Sequence, residues 1–248
     1  MPTPNSSVVR TLQICAALAD EQPAGVRELA RITGQPRSTV QRALESLEAA
    51  GWATREEGRW SLTLVPTAIG LKAGSVGNLR EAARPAMLRL LEHSDESVRL
   101  WVPDQRRAVL IESYDGRRPV RYVSPPLGES LPLHAGAGGK AILAALLVDD
   151  VEAYLVGALE RLTGQTLTEP KRLRADLKLT RERGFAVTDG EARDDIGGVA
   201  AAVTDPTGRP VAALSLALPM HRVTPELVSE YGAHVMAEAA ALTRQLGG

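Results

Sequence analysis

The sequence predicts an α+β protein of two domains, and three observations support this. Its 248 residues exceed the usual size of one small domain. Hydrophobic residues make up 44% and charged residues 24%, as in globular proteins with packed cores. Apolar residues repeat first at helical spacing and later in alternating strand-like and helical stretches. We therefore expect a small domain over residues 1–65, a linker with a linker helix over 66–93, and a larger domain over 94–248.

The beginning of the chain has the pattern of three short helices. Ser6 or Ser7 can cap the first helix, because apolar residues follow at helical spacing. Gly34 can end the second helix, since glycine takes the left-handed conformation without a steric penalty. Pro36 suits the first turn of the third helix, where its missing amide costs nothing, and this helix runs to about Ala50.

A short hairpin follows the third helix. Two strand-like segments, 52–55 and 59–62, flank a turn that contains glutamate and glycine. Three helices followed by such a hairpin form a winged helix-turn-helix, a fold that places its third helix in the DNA major groove. The glycine- and proline-rich segment 66–77 predicts an irregular linker, and a helix over 79–93 leads into the second domain.

The third helix is amphipathic. At about 100° per residue its apolar residues form one stripe, which we expect to pack on the first two helices. The stripe consists of Val40, Ala43, Leu44 and Leu47. The opposite face suits DNA, because glutamine pairs with adenine, arginine with guanine, and serine or threonine with phosphate. The predicted DNA contacts are Arg37, Ser38, Thr39, Gln41 and Arg42 on this helix, with Arg55 and Arg59 on the hairpin.

Acidic residues count against this interpretation. Glu45 shares the polar helix face, and Glu56 and Glu57 lie at the hairpin turn, where carboxylates repel phosphate. The net charge of -1 excludes indiscriminate binding to nucleic acid, so any DNA contact must be local. The alternative, a polar face that is only solvated, stays open at this level.

Cysteine content and hydropathy exclude other classes. The single cysteine, Cys15, cannot form a disulfide or a cysteine-rich zinc site within one chain. Residues 1–8 lack the features of a secretion signal, and no apolar run approaches the ~18 residues of a membrane-spanning helix. We therefore expect a cytoplasmic protein with no membrane segment.

In the second domain the apolar period switches repeatedly between strand and helix. The sequence Asp-Pro-Thr-Gly at 205–208 predicts the turn of an antiparallel hairpin. The expected strands cover 97–102, 108–113, 120–123, 199–204 and 211–218, and the expected helices cover 139–147, 171–183 and 225–246.

A glycine-rich sequence at 136–139 opens one of these helices. Its free amides and the positive end of the helix dipole offer an anion site. It is not a P-loop, because His134 and Ala141 stand where that motif needs glycine and serine or threonine. An acyl-coenzyme-A-dependent transferase that cradles phosphate in this loop is the alternative function.

No other catalytic or metal-binding pattern emerges. The four histidines have no metal-ligand spacing, and there is no nucleophile elbow. We expect His134 to hydrogen-bond the neighbouring loop, and Asp194 and Asp195 to be solvated. The prediction is therefore a protein without enzyme activity, metal or cofactor.

Several segments resemble the IclR family of transcriptional regulators. Residues 26–47 are similar to the family's DNA-binding segment, and residues 131–141, which read LPLHAGAGGKA, and 181–187 are similar to its effector domain. The resemblance covers nearly the whole chain in order. It implies a GAF/PAS-like effector-binding domain, a homodimer or a homotetramer made as a dimer of dimers, and palindromic double-stranded operator DNA as a partner.

The resemblance also implies an effector pocket with three departures from the family pattern. Where relatives often have Asp, Cys and Ser, this chain has Thr188, Gly198 and Ala217. The implied effector contacts are Ala137, Gly138, Thr188, Asp189, Gly198 and Ser215. Without the family's carboxylate and thiol, we expect Gly198 to leave space for the apolar body of a small aromatic or branched carboxylate metabolite.

Overall fold

The computed structural model describes residues 6–72 and 75–247. The chain divides into two compact units, Met1–Val76 and Gly77–Gly248, and each unit has its own hydrophobic core. Within the described ranges, no helix is both long and apolar enough to cross a membrane.

The N-terminal unit has helices and one antiparallel hairpin in the predicted order. Its elements are α1 (Ser6–Glu21), α2 (Val26–Thr33), α3 (Arg37–Ala49), β1 (Ala53–Glu56), β2 (Arg59–Leu62) and α4 (Val65–Lys72). Gly34 follows α2 with φ 65°, and Pro36 directly precedes α3. The winged helix-turn-helix prediction is confirmed.

Helix α4 occupies part of the segment that we predicted to be an irregular linker. Pro66 falls in its first turn, where a missing amide N–H breaks no hydrogen bond. Ala68 N donates to the Leu64 carbonyl at 2.9 Å, which is a helical bond. Glycine and proline content was therefore a poor guide here, because the position of the proline within the helix decides its effect.

The N-terminal core forms around α3. The buried residues of this helix are those of the predicted stripe, Val40, Ala43, Leu44 and Leu47. They pack with Ile14 and Leu18 of α1 and with Trp60 of β2. Ala24 and Trp60 exchange two backbone hydrogen bonds of 2.9 Å, which tie the hairpin to the α1–α2 connection. This packing leaves the opposite face of α3 in solvent.

The C-terminal unit is an antiparallel sheet covered by helices. The strands are β3 (Ser97–Asp104), β4 (Arg107–Tyr114), β5 (Ser130–Pro132), β6 (Ala186–Asp189), β7 (Ile196–Thr204) and β8 (Pro210–Pro219). The helices are α5 (Ser75–Ser94), α6 (Ala137–Ala145), α7 (Val148–Val156), α8 (Pro170–Arg183) and α9 (Pro225–Gly247), with a 3₁₀ turn at Met220–Arg222. The strand order is β5-β4-β3-β8-β7-β6.

Apolar layers cover both faces of this sheet. One face packs against α5 and α9 through side chains such as Met87 and Val235. The other face packs against α6 and α8 through side chains such as Ile142. Because side chains alternate along a strand, β3 sends Leu100 into the first layer and Trp101 into the second.

The predicted hairpin at 205–208 is present. The amides of Thr207 and Arg209 donate to Asp205 Oδ1 at 2.8 and 3.0 Å, and Gly208 has φ 82°. The turn joins β7 and β8, which are antiparallel as predicted.

The predicted strand at 120–123 is wrong. This segment contains no strand, and Val120 and Val123 are 60% and 62% exposed. Pro119 and Pro125 bracket it and cannot donate to a strand ladder. In contrast, β5, α7 and β6 were not predicted. The two strands have only three and four residues, too few for a clear periodic signal.

Candidate functional sites

The exposed face of α3 brings together the DNA contacts predicted on that helix. Its exposed or half-exposed side chains include Arg37, Ser38, Thr39, Gln41 and Arg42. Gln41 Nε2 donates to Glu45 Oε1 at 2.7 Å, and Arg42 Nε donates to the Ser38 carbonyl at 3.3 Å. Both bonds lie within one helix at the surface, so a DNA ligand can replace them without disturbing the core.

The two hairpin arginines have different surroundings. Arg55 is exposed, and its guanidinium carbon lies 5.6 Å from the centroid of the Trp60 ring. Arg59 Nε donates to the Pro23 carbonyl at 2.9 Å, and its Nη2 lies 3.2 Å from Glu28 Oε2. Arg59 therefore fastens the hairpin to the start of α2, and a contact with DNA has to use its remaining N–H groups.

The C-terminal unit contains a pocket, here named the α6 pocket, between the start of α6, the sheet face beneath it and the loops that precede β5 and β7. Its walls are mainly apolar and include Trp101 and Leu131. Its volume is about 50 Å³, and one buried water needs about 10–15 Å³ of such space. A ligand much larger than a few water molecules therefore requires the lining side chains to move.

The pairing of strands places predicted effector residues side by side on the sheet face beneath α6, in rows that run across the strands. Thr188 on β6 pairs with Gly198 on β7, and Gly198 pairs with Ala217 on β8. In the next row, Ser215 on β8 pairs with Arg99 on β3. Directly paired residues of an antiparallel sheet point to the same face, and all of these residues line the α6 pocket.

Glycine allows α6 to begin close to the sheet. Gly136, which caps the helix, has φ 91° in the left-handed region. A Cβ on Gly138 would lie 2.5 Å from the Trp101 ring. Ala137 and Gly138 line the pocket, and the amides of a first helical turn have no intrahelical acceptor. The predicted anion-binding start of this helix is thus placed at the pocket wall.

Arg99 is a buried cation in the pocket that the sequence analysis missed. It is 6% exposed, its Nε donates to Ser124 Oγ at 3.3 Å, and its guanidinium carbon lies 4.1 Å from the centroid of the Tyr122 ring. Its Nη2 is buried and has no hydrogen-bond partner among the residues that the structure describes. Burial lowers the pKa of Arg99 to about 10, so the guanidinium stays charged at neutral pH. The sequence did carry a signal for it: alternate residues of a strand share a face, so Arg99 lies on the same side of β3 as Trp101.

The hydroxyl groups at the pocket differ in their bonding. Ser215 Oγ accepts a hydrogen bond from Trp101 Nε1 at 3.0 Å. Thr188 is buried, and within residues 6–72 and 75–247 its Oγ1 has no hydrogen-bond partner. Asp189 is exposed on the other side of β6 and does not line the pocket. The structure therefore brings Thr188 and Ser215 to the pocket and leaves Asp189 outside it.

Gly198 lines the pocket but leaves no space for a ligand. A Cβ at this position would collide with the Leu216 carbonyl oxygen and lie 3.3 Å from Ala217 Cα. The expectation that the missing side chain makes room for an apolar ligand body is therefore wrong, because the backbone of β8 fills that room. Glycine is needed here for the close approach of two strands.

A buried ion pair links α6 to the loop that precedes β7. Lys140 is fully buried, and its Nζ lies 2.5 Å from Glu191 Oε1 and 3.1 Å from Asp176 Oδ2. Burial raises the pKa of Glu191, although the charge of Lys140 opposes this change. Sequence reasoning missed the cluster because its three members lie far apart along the chain.

His134 has a structural role, but it does not hydrogen-bond the glycine-rich loop as we expected; its ring contacts α7 and the segment that follows it. Its Nδ1 lies 2.6 Å from the Tyr154 hydroxyl, and its Nε2 lies 2.8 Å from the Glu160 carbonyl. Because a carbonyl only accepts, Nε2 carries the proton of the neutral ring. Burial lowers the pKa of His134, which favours this neutral form.

Three side chains that are able to ligate a metal meet at the surface. The ligand atoms of His93, Glu230 and His234 lie within 4.8 Å of one another, and His93 Nε2 is 3.0 Å from Glu230 Oε1. The spacing argument predicted no such arrangement among the histidines. It could not detect this one, because the members come from two helices, α5 and α9.

Comparison with known protein families gives matches over both units. The IclR helix-turn-helix domain matches residues 7–57, and the bacterial transcriptional regulator IclR C-terminal domain matches residues 72–244. The chain belongs to the IclR family. The C-terminal unit is accordingly the family's GAF/PAS-like effector-binding domain, and the N-terminal unit is its helix-turn-helix.

Individual IclR-family relatives match over nearly their whole length. The transcriptional repressor IclR of Escherichia coli K12 is 32% identical, with 98% of this chain and 90% of that protein covered. The regulator KdgR of the same organism is 30% identical, with 99% and 94% covered. The crystal structure of Thermotoga maritima IclR has a TM-score of 0.77 at 26% identity and covers 98% of this chain and 99% of that chain.

A further solved structure, of an IclR homologue from Microbacterium hydrocarbonoxydans in complex with 4-hydroxybenzoate, shares the fold. Its TM-score is 0.81 at 22% identity, with 97% of this chain and 99% of that chain covered. The family's named members are transcriptional repressors and regulators. This chain is therefore a transcriptional regulator with a DNA-binding and an effector-binding domain, and the transferase alternative is excluded.

Proposed function

We propose that this IclR-family regulator binds a small aromatic or branched carboxylate in the α6 pocket, and that binding changes its affinity for palindromic operator DNA. One observation carries the proposal: the residues that begin α6, at the positive end of the helix dipole, line a mainly apolar pocket. Such a pocket suits an anionic head with an apolar body. The 4-hydroxybenzoate complex of the Microbacterium hydrocarbonoxydans homologue supports an aromatic acid.

The effector contacts that we propose follow from the pocket lining. They are the amides of Ala137 and Gly138 and the hydroxyl groups of Thr188 and Ser215. Gly198 acts through the backbone, because a side chain there would meet Leu216. A neutral, apolar wall at these positions is compatible with an acid, since no carboxylate of β6 points into the pocket.

On the DNA side, we propose a homodimer or a dimer of dimers that places one α3 in each half-site. The proposed contacts are Arg37, Ser38, Thr39, Gln41 and Arg42, with Arg55 and free N–H groups of Arg59 at the phosphates. Half-sites about one helical turn apart, ~34 Å, match the two-fold symmetry of such a dimer. A regulator that binds bacterial operator DNA acts in the cytoplasm.

Operator selection from a random duplex library, followed by footprinting with the full-length protein, tests this proposal. We expect two protected half-sites on one side of the duplex. Benzoate, 4-hydroxybenzoate or 4-methylpentanoate should change the protection, whereas 4-hydroxybenzamide, which lacks the charge, should not. An asymmetric single footprint would contradict the palindrome, and indifference to every acid would contradict carboxylate sensing. Sedimentation of the protein with and without DNA measures the assembly.

A further inference from the structure

Arg99 lacks the partner that a buried cation requires. Its Nη2 is shielded from water, and no described residue offers it a hydrogen-bond acceptor. The contacts it does make are a hydrogen bond to Ser124 Oγ and the face of the Tyr122 ring, both neutral. Removing a guanidinium from water without a counter-ion is costly, so its persistence in a folded protein indicates that an anion occupies the site in the working state.

Carboxylates near Arg99 are engaged elsewhere within the described part of the chain. Glu129 lines the same pocket, and its Oε1 lies 3.8 Å from Arg193 Nη2 at the pocket rim. Asp115 Oδ1 accepts from Ser124 N at 2.9 Å. Neither carboxylate forms an ion pair with Arg99 among the described residues. Both carboxylates act on the charge of Arg99 from a distance and raise its pKa, but neither hydrogen-bonds its guanidinium. An anion in direct contact with Arg99 therefore has to come from outside the chain.

A second unpartnered polar atom lines the same pocket. Thr188 Oγ1 is buried without a partner on β6, and Arg99 is on β3, with β7 and β8 between them. Strands in a sheet are about 4.8 Å apart, so these two backbones are separated by roughly 14 Å across the sheet. On the pocket face, the side chains between them include the small Ala217 and Ser215, and the Ser215 hydroxyl accepts a hydrogen bond from Trp101. The pocket therefore has a cationic end and a neutral polar end with small side chains between them.

We propose that the effector is an organic acid with a second polar group, a hydroxyl or carbonyl, at the end remote from its carboxylate. Arg99 binds the carboxylate and Thr188 binds the second group. This inference rests on the proposed function of the α6 pocket and adds the residues that set its specificity. A guanidinium offers two parallel donors to a carboxylate, and a threonine hydroxyl is able to donate or accept.

Calorimetric titration of the full-length protein tests the inference with matched probes. The probes are 4-hydroxybenzoate and 4-oxopentanoate, the plain acids benzoate and pentanoate, and the amide of each of the first two. A charge-assisted hydrogen bond corresponds to about 10–100-fold in affinity and a neutral one to about 2–10-fold. We therefore expect the substituted acids to bind best, the plain acids about 2–10-fold weaker, and the amides about 10–100-fold weaker.

Three variants assign the two preferences to residues. Arg99→Met should lose most of the preference for acid over amide, because only the amides that begin α6 then remain to hold the carboxylate. Thr188→Val should abolish the preference for the substituted acid over the plain one. Arg244→Met is the control, because this arginine of α9 is exposed and does not line the pocket. It should retain both preferences.

The outcomes separate the inference from the proposed function. If no acid binds the wild-type protein, carboxylate sensing and this inference both fail. If acids bind but Arg99→Met prefers them over the amides as strongly as the wild type does, the inference alone fails. Thermal melting without ligand gives an independent result: Arg99→Met should melt at or above the wild-type temperature, because an unpaired buried charge has been removed. A melting temperature lower by several degrees would show that Arg99 is a structural cation and would overturn the inference.

Discussion

The exposed face of α3 and the α6 pocket both carry arginine, in opposite surroundings. Arg42 on α3 is exposed and donates to a carbonyl of its own helix. Arg99 in the pocket is 6% exposed, and its Nη2 has no partner. Water solvates the first until DNA binds, whereas the second reduces the free energy of unfolding until an anion binds. Burial, rather than residue type, therefore separates a surface for a polyanion from a site that selects one small anion.

The substitution with the largest expected effect breaks a buried ion pair beside the pocket. Lys140→Met should lower the free energy of unfolding by about 3–5 kcal/mol, because Glu191 and Asp176 lose their buried cation. Thermal denaturation should show a drop of roughly 6–20 °C. The control Lys178→Met removes an exposed lysine whose Nζ lies 3.8 Å from Glu182 Oε1. It should change the free energy of unfolding by less than about 0.5 kcal/mol. Equal melting temperatures for the two variants would refute the contrast between buried and exposed charge.

A second test concerns the pocket wall. Gly198→Leu should destabilise the C-terminal unit by about 3 kcal/mol or more, since even its Cβ meets the backbone of Leu216. Melting should fall by roughly 6 °C or more. Gly164→Ala, where an added Cβ meets nothing within 4 Å, is the control and should melt close to the wild type. A stable Gly198→Leu protein that has lost its effector response would instead mean that Gly198 opens space for the ligand.

The third test concerns the exposed face of α3. Gln41→Ala and Arg42→Ala should each weaken operator binding by roughly 1–3 kcal/mol and relax preference at one base pair per half-site. Their melting temperatures should stay unchanged, because both residues lie outside the buried stripe. Quantitative gel shifts on the selected operator measure this. Arg244→Ala, an exposed arginine of the C-terminal unit, controls for net charge. Wild-type affinity in both variants would show that another face contacts DNA.

The smallest expected effect is a dependence on pH. Burial lowers the pKa of His134 from its ordinary 6.5. Below pH 6.5 the unfolded chain binds a proton at His134 that the folded chain does not bind. The stability that the neutral, buried His134 allows is therefore fully present above pH 6.5 and is lost as the pH falls towards the lowered pKa. The loss is at most about 1.4 kcal/mol per pH unit. Chemical denaturation between pH 7 and 5.5 should show a flatter slope for His134→Gln than for the wild type. The exposed His221→Gln should keep the wild-type slope.

Prediction from sequence worked best where neighbouring residues decide the structure. Gly34 and the α3 stripe were sufficient to locate the helix-turn-helix, and the turn at 205–208 was sufficient to pair β7 with β8. Sequence prediction failed at 120–123, where two valines suggested a strand but the segment pairs with no neighbouring strand. Among the candidate effector residues, the alternation along β6 places Thr188 in the pocket and Asp189 outside it, a distinction that requires the register of the sheet.

By itself, the sequence determined the three helices, the hairpin and the family resemblance, because helical period, capping residues and turn residues act over a few positions of the chain. Only the tertiary structure decided which polar groups lose contact with water. Arg99 and Thr188 lie on strands that are far apart in sequence, and both are buried at the pocket beneath the start of α6. Desolvation depends on everything packed around a group, so no local pattern distinguishes an arginine that remains in water from one that needs an anion.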